Sequence, residues 1–298
     1  MRDLRTDIGP FKGLRPLREL ANDKFLGVAN GVVPSPIGLT TWIPPVQVSA
    51  YSTTFPFPQF MHCHDGNHLL LPNAIYRLFE TGASPRLTNI TSNGYPWSWA
   101  EMGSYVLMSN FEKVYEILEG ALQENTKDDV PVFRSIVDYN GQLVVGNLWA
   151  FGKHYPQLIM WAVPGSAKFM PGESSAGGGL AYKIGDVLNM KLLSRKTLLG
   201  SEEIKNIIVY GSEGVAMLTP QDFPASFGYF VFGEIPGIAS QLAVSGDEHY
   251  HVFVGTNKKL YVVSAEGVSM LGYDEFLSEG SEFVVSYCST RGEFYVSY

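Results

Sequence analysis

One hairpin-like stretch occurs twice in this chain. Residues 208–218 read IVYGSEGVAML and residues 261–271 read YVVSAEGVSML, 53 positions apart. Glu213–Gly214 matches Glu266–Gly267, Val215 matches Val268, and Met217–Leu218 matches Met270–Leu271. Each copy carries an apolar alternation of period two, a Glu-Gly turn and a second apolar run, which is the pattern of two antiparallel strands. A β unit that returns after about 50 residues falls in the range of propeller blades. Setting Ile75, Val114, Val215 and Val268 in one register gives spacings of 39, 101 and 53. The middle spacing is two units, so the expectation is five blades, or six if the two ends share a sheet.

The rest of the chain agrees with many short strands. HLLLPNAIYRLF (68–79) and YVLMSNFEKVYEIL (105–118) read as hairpins, and QLIMWAV (157–163) as an apolar strand. RSIVDYNGQLVVGNLW (134–149) places Asn140–Gly141 between two apolar alternations, the strongest short hairpin signal. HVFVGTNKKLYVV (251–263) continues the series, and EFVVSYCSTRGEFYVSY (282–298) closes it with a turn near Thr290–Gly292. Helix candidates are confined to 16–26 and 111–122. The 31 Gly, 18 Pro and 39 aromatics suit tight turns and strands. Residues 1–58 differ: eight prolines there block ladder hydrogen bonds. They read as an extended arm before a body at 59–298, either gripping a neighbour or serving as an irregular lead-in.

A net charge of -8 argues against a protein that neutralises phosphates. Two cysteines, Cys63 and Cys288, are too few for a disulfide framework, which points to a reducing compartment and free thiols. The N-terminus has no apolar signal-like core, and no apolar run is long enough to span a membrane.

Chemical motifs are sparse. In MHCHDGNH (61–68), His62 and His64 fall on one strand face and are the metal-ligand candidates; His249 and His251 repeat the spacing. The alternative is that they are ordinary polar strand residues. No nucleophile elbow, phosphate loop or Cys-x-x-Cys is present, so no cofactor is expected. SSAGGGLAYKIG (174–185) reads as a flexible loop. The carboxylate pairs Asp128–Asp129, Glu202–Glu203 and Asp247–Glu248 read as solvated turn charges, with a glycosidase pair as the alternative. Trp97, Trp99 and Trp161 read as blade-packing aromatics or as a ligand platform.

The order of these features resembles the β-propeller proteins of tailed-bacteriophage tails and connectors, of nozzle, hub or stopper type. The resemblance lies in a Trp-bearing hairpin (97–110), the Asn-Gly hairpin (139–148), the Trp strand (157–164), the Ser-Ala-Gly loop (174–179), the stretch FPASFGYFVFGEIPG (223–237) and the lead-in FKGLRPLRELANDKFLGVANGVV (11–33). It implies an all-β propeller of five to six blades with an extended N-terminal arm, in a non-enzymatic virion protein assembled in the host cytoplasm. It further implies a ring of identical subunits, often six, around a DNA channel. The partners would be the portal or adaptor, other tail proteins, and genomic DNA passing without specific binding. Phe11, Leu14, Leu17, Phe25 and Trp42 are then the expected apolar anchors of the arm. The alternatives are a propeller acting on glycosides and a propeller scaffold for protein partners.

Overall fold

In a computed structural model, the structure describes residues 32–35, 38–41, 58–79, 82–170, 175–196, 203–222, 226–272, 277–278, 280, 282–289 and 292–298. The chain divides into two compact units, Met1–Ser52 and Thr53–Tyr298. In the first, β1 (Val32–Ser35) and β2 (Gly38–Thr41) form an antiparallel hairpin. Among the described residues no helix is long and apolar enough to cross a membrane.

The second unit is a succession of meanders. Sheet 1 is β3 (Gln59–Cys63), β4 (Gly66–Leu71), β5 (Ala74–Phe79) and β6 (Gly82–Thr88). Sheet 2 is β7 (Ser98–Met102), β8 (Tyr105–Ser109), β9 (Val114–Leu118) and β10 (Ala121–Glu124). Sheet 3 is β11 (Val132–Tyr139), β12 (Gln142–Ala150), β13 (Lys153–Trp161) and β14 (Gly177–Leu180). Sheet 4 is β15 (Val187–Lys196), β16 (Glu203–Gly211), β17 (Val215–Asp222) and β18 (Ser226–Val231). Sheet 5 is β19 (Val244–Gly246), β20 (Tyr250–Val254), β21 (Leu260–Ser264) and β22 (Gly267–Gly272). The described part of sheet 6 is β23 (Val284–Cys288) and β24 (Glu293–Ser297). Every pairing is antiparallel between chain neighbours, as short turns require.

Among the described residues, sheets 2 to 5 contribute buried apolar side chains to two cores each, and sheets 1 and 6 to one each. Five cores fill the gaps between consecutive sheets. Met61, Leu70 and Ile75 of sheet 1 meet Val106, Met108 and Ile117 of sheet 2. Leu107 and Val114 meet Phe133, Leu143 and Leu148 of sheet 3. Val144 and Ile159 meet Ile207, Val209 and Ala216 of sheet 4. Ile208 and Tyr210 meet Phe253 and Val263 of sheet 5. Val252 and Val254 meet Val285, Phe294 and Val296 of sheet 6. The first strands of all six sheets border one cavity, where Gln59 of sheet 1 and Val284 of sheet 6 both contribute lining. Sheets stacked face to face around a shared axis make a six-bladed β-propeller.

The 53-residue repeat turns out to be a hairpin repeat and not a blade repeat. Residues 208–218 join the second and third strands of sheet 4, whereas 261–271 join the third and fourth strands of sheet 5. Ile75, Val114 and Val215 do occupy third strands, but Val268 lies on a fourth. The first strands start at Gln59, Ser98, Val132, Val187, Val244 and Val284, giving blade spacings of 39, 34, 55, 57 and 40. The region 111–122 is not helical: β9 and β10 are joined by Glu119 and Gly120, both at positive φ (52° and 77°). That conformation makes a tight hairpin turn, and it overrides the helix-like apolar spacing. The region 174–185 is likewise more than a loop, since Gly177–Leu180 pairs with β13 as the outermost strand. A β-carbon on Gly177 would come within 2.7 Å of the Trp161 ring, so glycine lets that strand lie over the indole.

The two hairpins also differ in crowding at Gly211. A β-carbon there would come within 2.0 Å of the Ile184 carbonyl oxygen, whereas Ser264 at the matching position has room for a side chain. Gly211→Ala is expected to cost roughly 1–3 kcal/mol through forced backbone movement, and Ser264→Ala under about 0.5 kcal/mol. Urea denaturation of both variants checks this; equal midpoints would show that the loop yields freely.

Candidate functional site: the axial channel

The propeller axis holds two adjoining cavities. The one at the start of the first strands, about 710 Å³, is lined by Gln59, Ser98, Asn189, Gln241, Val284 and Ser297 among others. The one at their far ends, about 360 Å³, is lined by His62, Glu101, Asp138, Asp247, Glu248 and His251 among others. Trp99, Ile136, Met190 and Lys191 border both.

Gln241 ties the blades together at the axis. Its side-chain amide donates to the carbonyls of Arg134 (2.9 Å) and Pro96 (3.4 Å), and its Oε1 accepts from Arg134 Nε (3.1 Å). Its own carbonyl accepts from Asn189 Nδ2 (2.8 Å). Ser240 next to it donates to the Phe283 carbonyl (2.8 Å). Gln59 and Trp97 form a second tie: Gln59 Nε2 donates to the Trp97 carbonyl (3.0 Å), and the Trp97 amide donates back (2.6 Å). Trp97 also donates its indole N–H to the Leu71 carbonyl (2.9 Å). Trp97 and Trp161 are buried in inter-blade cores, whereas partly buried Trp99 reaches the channel.

The carboxylates at the far mouth are engaged. Glu101 Oε1 accepts from the His64 backbone N–H (2.7 Å) and faces His64 Nδ1 (2.8 Å). Asp138 accepts from the Gly141 N–H (2.9 Å), and burial pushes its carboxyl above the usual range. Asp247 is pushed up by burial, but hydrogen bonds from Tyr287 (2.7 Å) and from the His249 and Tyr250 amides outweigh this and hold it low. Glu248 pairs with Lys205 (2.8 Å). These groups are structural as well as charged, so they are not the purely solvated turn charges that the sequence suggests. Asp128 and Asp129 line a separate pocket, and the Glu202 and Glu203 side chains lie outside the described residues.

The histidines separate by role. His62 faces Asn67 Oδ1 (2.8 Å), and His64 faces Glu101. Among the described residues no three His, Cys, Asp or Glu side chains are placed to hold a metal. His251 is fully buried: its Nε2–H donates to the Leu192 carbonyl (2.8 Å), and its Nδ1 accepts from the Tyr210 hydroxyl (2.8 Å). Burial first, then the charge of Lys191, lowers its pKa to about 4. In the unfolded chain this imidazole protonates near 6.5, so the unfolded state takes the proton first. Stability is therefore full above pH 6.5 and falls as pH drops toward 4, by up to about 3 kcal/mol from this group. Urea midpoints measured from pH 7 to 4.5 should show that fall, and His251→Gln should flatten it.

Both thiols are free, Cys63 buried and Cys288 partly so. Phe11, Leu14, Leu17, Phe25 and Trp42 lie outside the described residues. The signal that sequence reasoning missed is Gln241–Lys191–Arg134, three residues from three different blades.

No family model matches the chain, and no curated protein does. Solved structures with a similar course of chain include YCF48 bound to D1 peptide, at 11% identity and TM-score 0.43 over 85% of this chain and 82% of that one. BBS1N in complex with ARL6DN is similar at 13% identity and TM-score 0.38, over 82% and 71%. The N-terminal domain of Nup159 is similar at 12% and 0.30, over 71% and 74%. Likeness at this level carries no argument about function. The resemblance to phage connectors thus rests on the order of sequence features alone.

Proposed function

We propose that this chain is a non-catalytic, protein-binding propeller that serves as an assembly subunit of a tailed-phage virion. It would sit in a ring of copies at the head–tail junction or tail. There it would contact portal or adaptor and tail proteins around the DNA path, and contribute to genome retention and ejection. The observation that carries the binding role is an apolar pocket of about 590 Å³ on the third blade. Its rim leaves Phe151 78% exposed, Trp149 48% and Met170 49%, with Asp128 and Asp129 beside them. Large apolar side chains gathered at a pocket mouth mark a docking surface. The order of sequence features supports the virion setting.

Sedimentation of the full chain, alone and with portal and tail proteins, tests this. A ring oligomer or a portal complex is expected, and Phe151→Asp should weaken association without changing the melting midpoint. A stable monomer that ignores those proteins contradicts it. The raised carboxyl of Asp138 favours one second reading, a glycoside-acting enzyme with its acid in the axial channel. Turnover of chromogenic glycosides, abolished by Asp138→Asn, would establish that reading in its place.

A further inference from the structure

Lys191 projects from β15 into the channel and borders both axial cavities. It is partly buried, its backbone pairs with Ile208 in the ladder, and among the described residues its ammonium makes no hydrogen bond and no ion pair. Buried polar and charged groups are normally partnered, so an ammonium left without one needs an explanation. The carboxylates that share the smaller cavity with it are engaged with other groups. Glu101 is held by His64, Asp138 by the Gly141 amide, Asp247 by Tyr287, and Glu248 by Lys205. His251 uses both ring nitrogens on Tyr210 and Leu192 and offers Lys191 no acceptor.

The two ends of the channel differ in charge. The smaller cavity is ringed by carboxylates, which repel an anion approaching from that side. The larger cavity is lined by neutral side chains such as Gln59, Ser98, Asn189 and Ser297. Among its described lining residues Lys191 is the only charged one, and Trp97, Trp99, Leu242 and Val284 supply apolar surface. A guest entering there meets first an apolar wall and then a single cation. Burial lowers the pKa of the amine, and an anion beside it would reverse that shift.

We propose that the larger axial cavity binds a small carboxylate with an apolar body, its head group on Lys191 Nζ and its body against Trp99. The cavity is of the size that holds such ligands. The acidic ring beyond Lys191 stops the anion from passing through.

Trp99 lies in the site and reports on it. Titration of the full chain with 4-phenylbutyrate should change tryptophan fluorescence saturably, and Trp99→Phe should reduce that signal, with Trp97 of the same cavity supplying the remainder. Lys191→Met should weaken binding at least about tenfold, because a charge-assisted hydrogen bond is lost, while Lys191→Arg should retain it. 4-Phenylbutan-1-ol, which has the same body without the charge, should bind at least about tenfold more weakly than the acid. Inorganic phosphate distinguishes a bare anion site from one that needs the apolar body, and it should bind more weakly still. Equal responses to acid and alcohol, or full binding by a folded Lys191→Met variant with an unchanged melting midpoint, would overturn the proposal. If that variant does not fold, full binding by Lys191→Gln overturns it equally.

Discussion

Replacing Asp65 with alanine is expected to destabilise the protein by roughly 3–5 kcal/mol, because it leaves the largely buried Arg86 guanidinium without its counter-charge. Asp65 sits in the turn between β3 and β4, only 8% exposed. Its carboxylate pairs with Arg86, lies 3.4 Å from Arg77 Nη1 and lies 3.3 Å from His68 Nε2. Arg86 also donates to the Gly120 carbonyl in the turn of the next blade, so the cluster fastens sheet 1 to sheet 2. His68 is completely buried, and burial followed by the Arg86 charge lowers its pKa. Without Asp65, Arg86 keeps a carbonyl but loses its anion. Arg77 serves as the contrast: its side chain is partly solvated, so Arg77→Ala should cost under about 1 kcal/mol. Urea denaturation of the pair separates the two outcomes. A small loss for Asp65→Ala would show that water satisfies the arginines.

The second large effect is expected at Gln241. Gln241→Ala removes two donors and one acceptor at a point where three blades converge. It leaves the Arg134 and Pro96 carbonyls without their partner, and it deprives the Arg134 guanidinium of Oε1. Arg134 is partly buried, which lowers its pKa, and it is otherwise stacked on Tyr95 at 4.7 Å. Unsatisfied buried groups cost about 1–3 kcal/mol each, and partial relaxation brings the expected total to roughly 2–4 kcal/mol. The contacts join residues 107 and 145 positions apart, so the loss should also lower unfolding cooperativity. A change below about 0.5 kcal/mol, the range of ordinary surface substitutions, would remove Gln241 from its role at the axis.

Much of the fold was legible because hairpins are local. Asn140–Gly141 announces the β11–β12 turn, and both residues adopt positive φ (51° and 81°) as that turn demands. The blade period was harder to read. Apolar-turn-apolar describes a hairpin of second and third strands as well as one of third and fourth. Val268 therefore aligned with Val215 although it lies one strand further out. The stretch 111–122 misled because Val114, Tyr115 and Leu118 recur at helical spacing, while the deciding signal was the Glu119–Gly120 turn. The channel itself could not be read from sequence. Lys191, Arg134 and Gln241 carry no motif: Arg134 and Gln241 are bonded across 107 positions of sequence, and Lys191 shares a cavity with Gln241, only because the blades close on one axis.

A crystal structure of the full chain tests the central claim most directly. A closed ring is expected, with Gln59 of the first sheet and Val284 of the sixth lining one cavity, and Gln241 bonded to Arg134, Pro96 and Asn189. An open stack, with the first and sixth sheets at opposite ends and no shared axis, would contradict it.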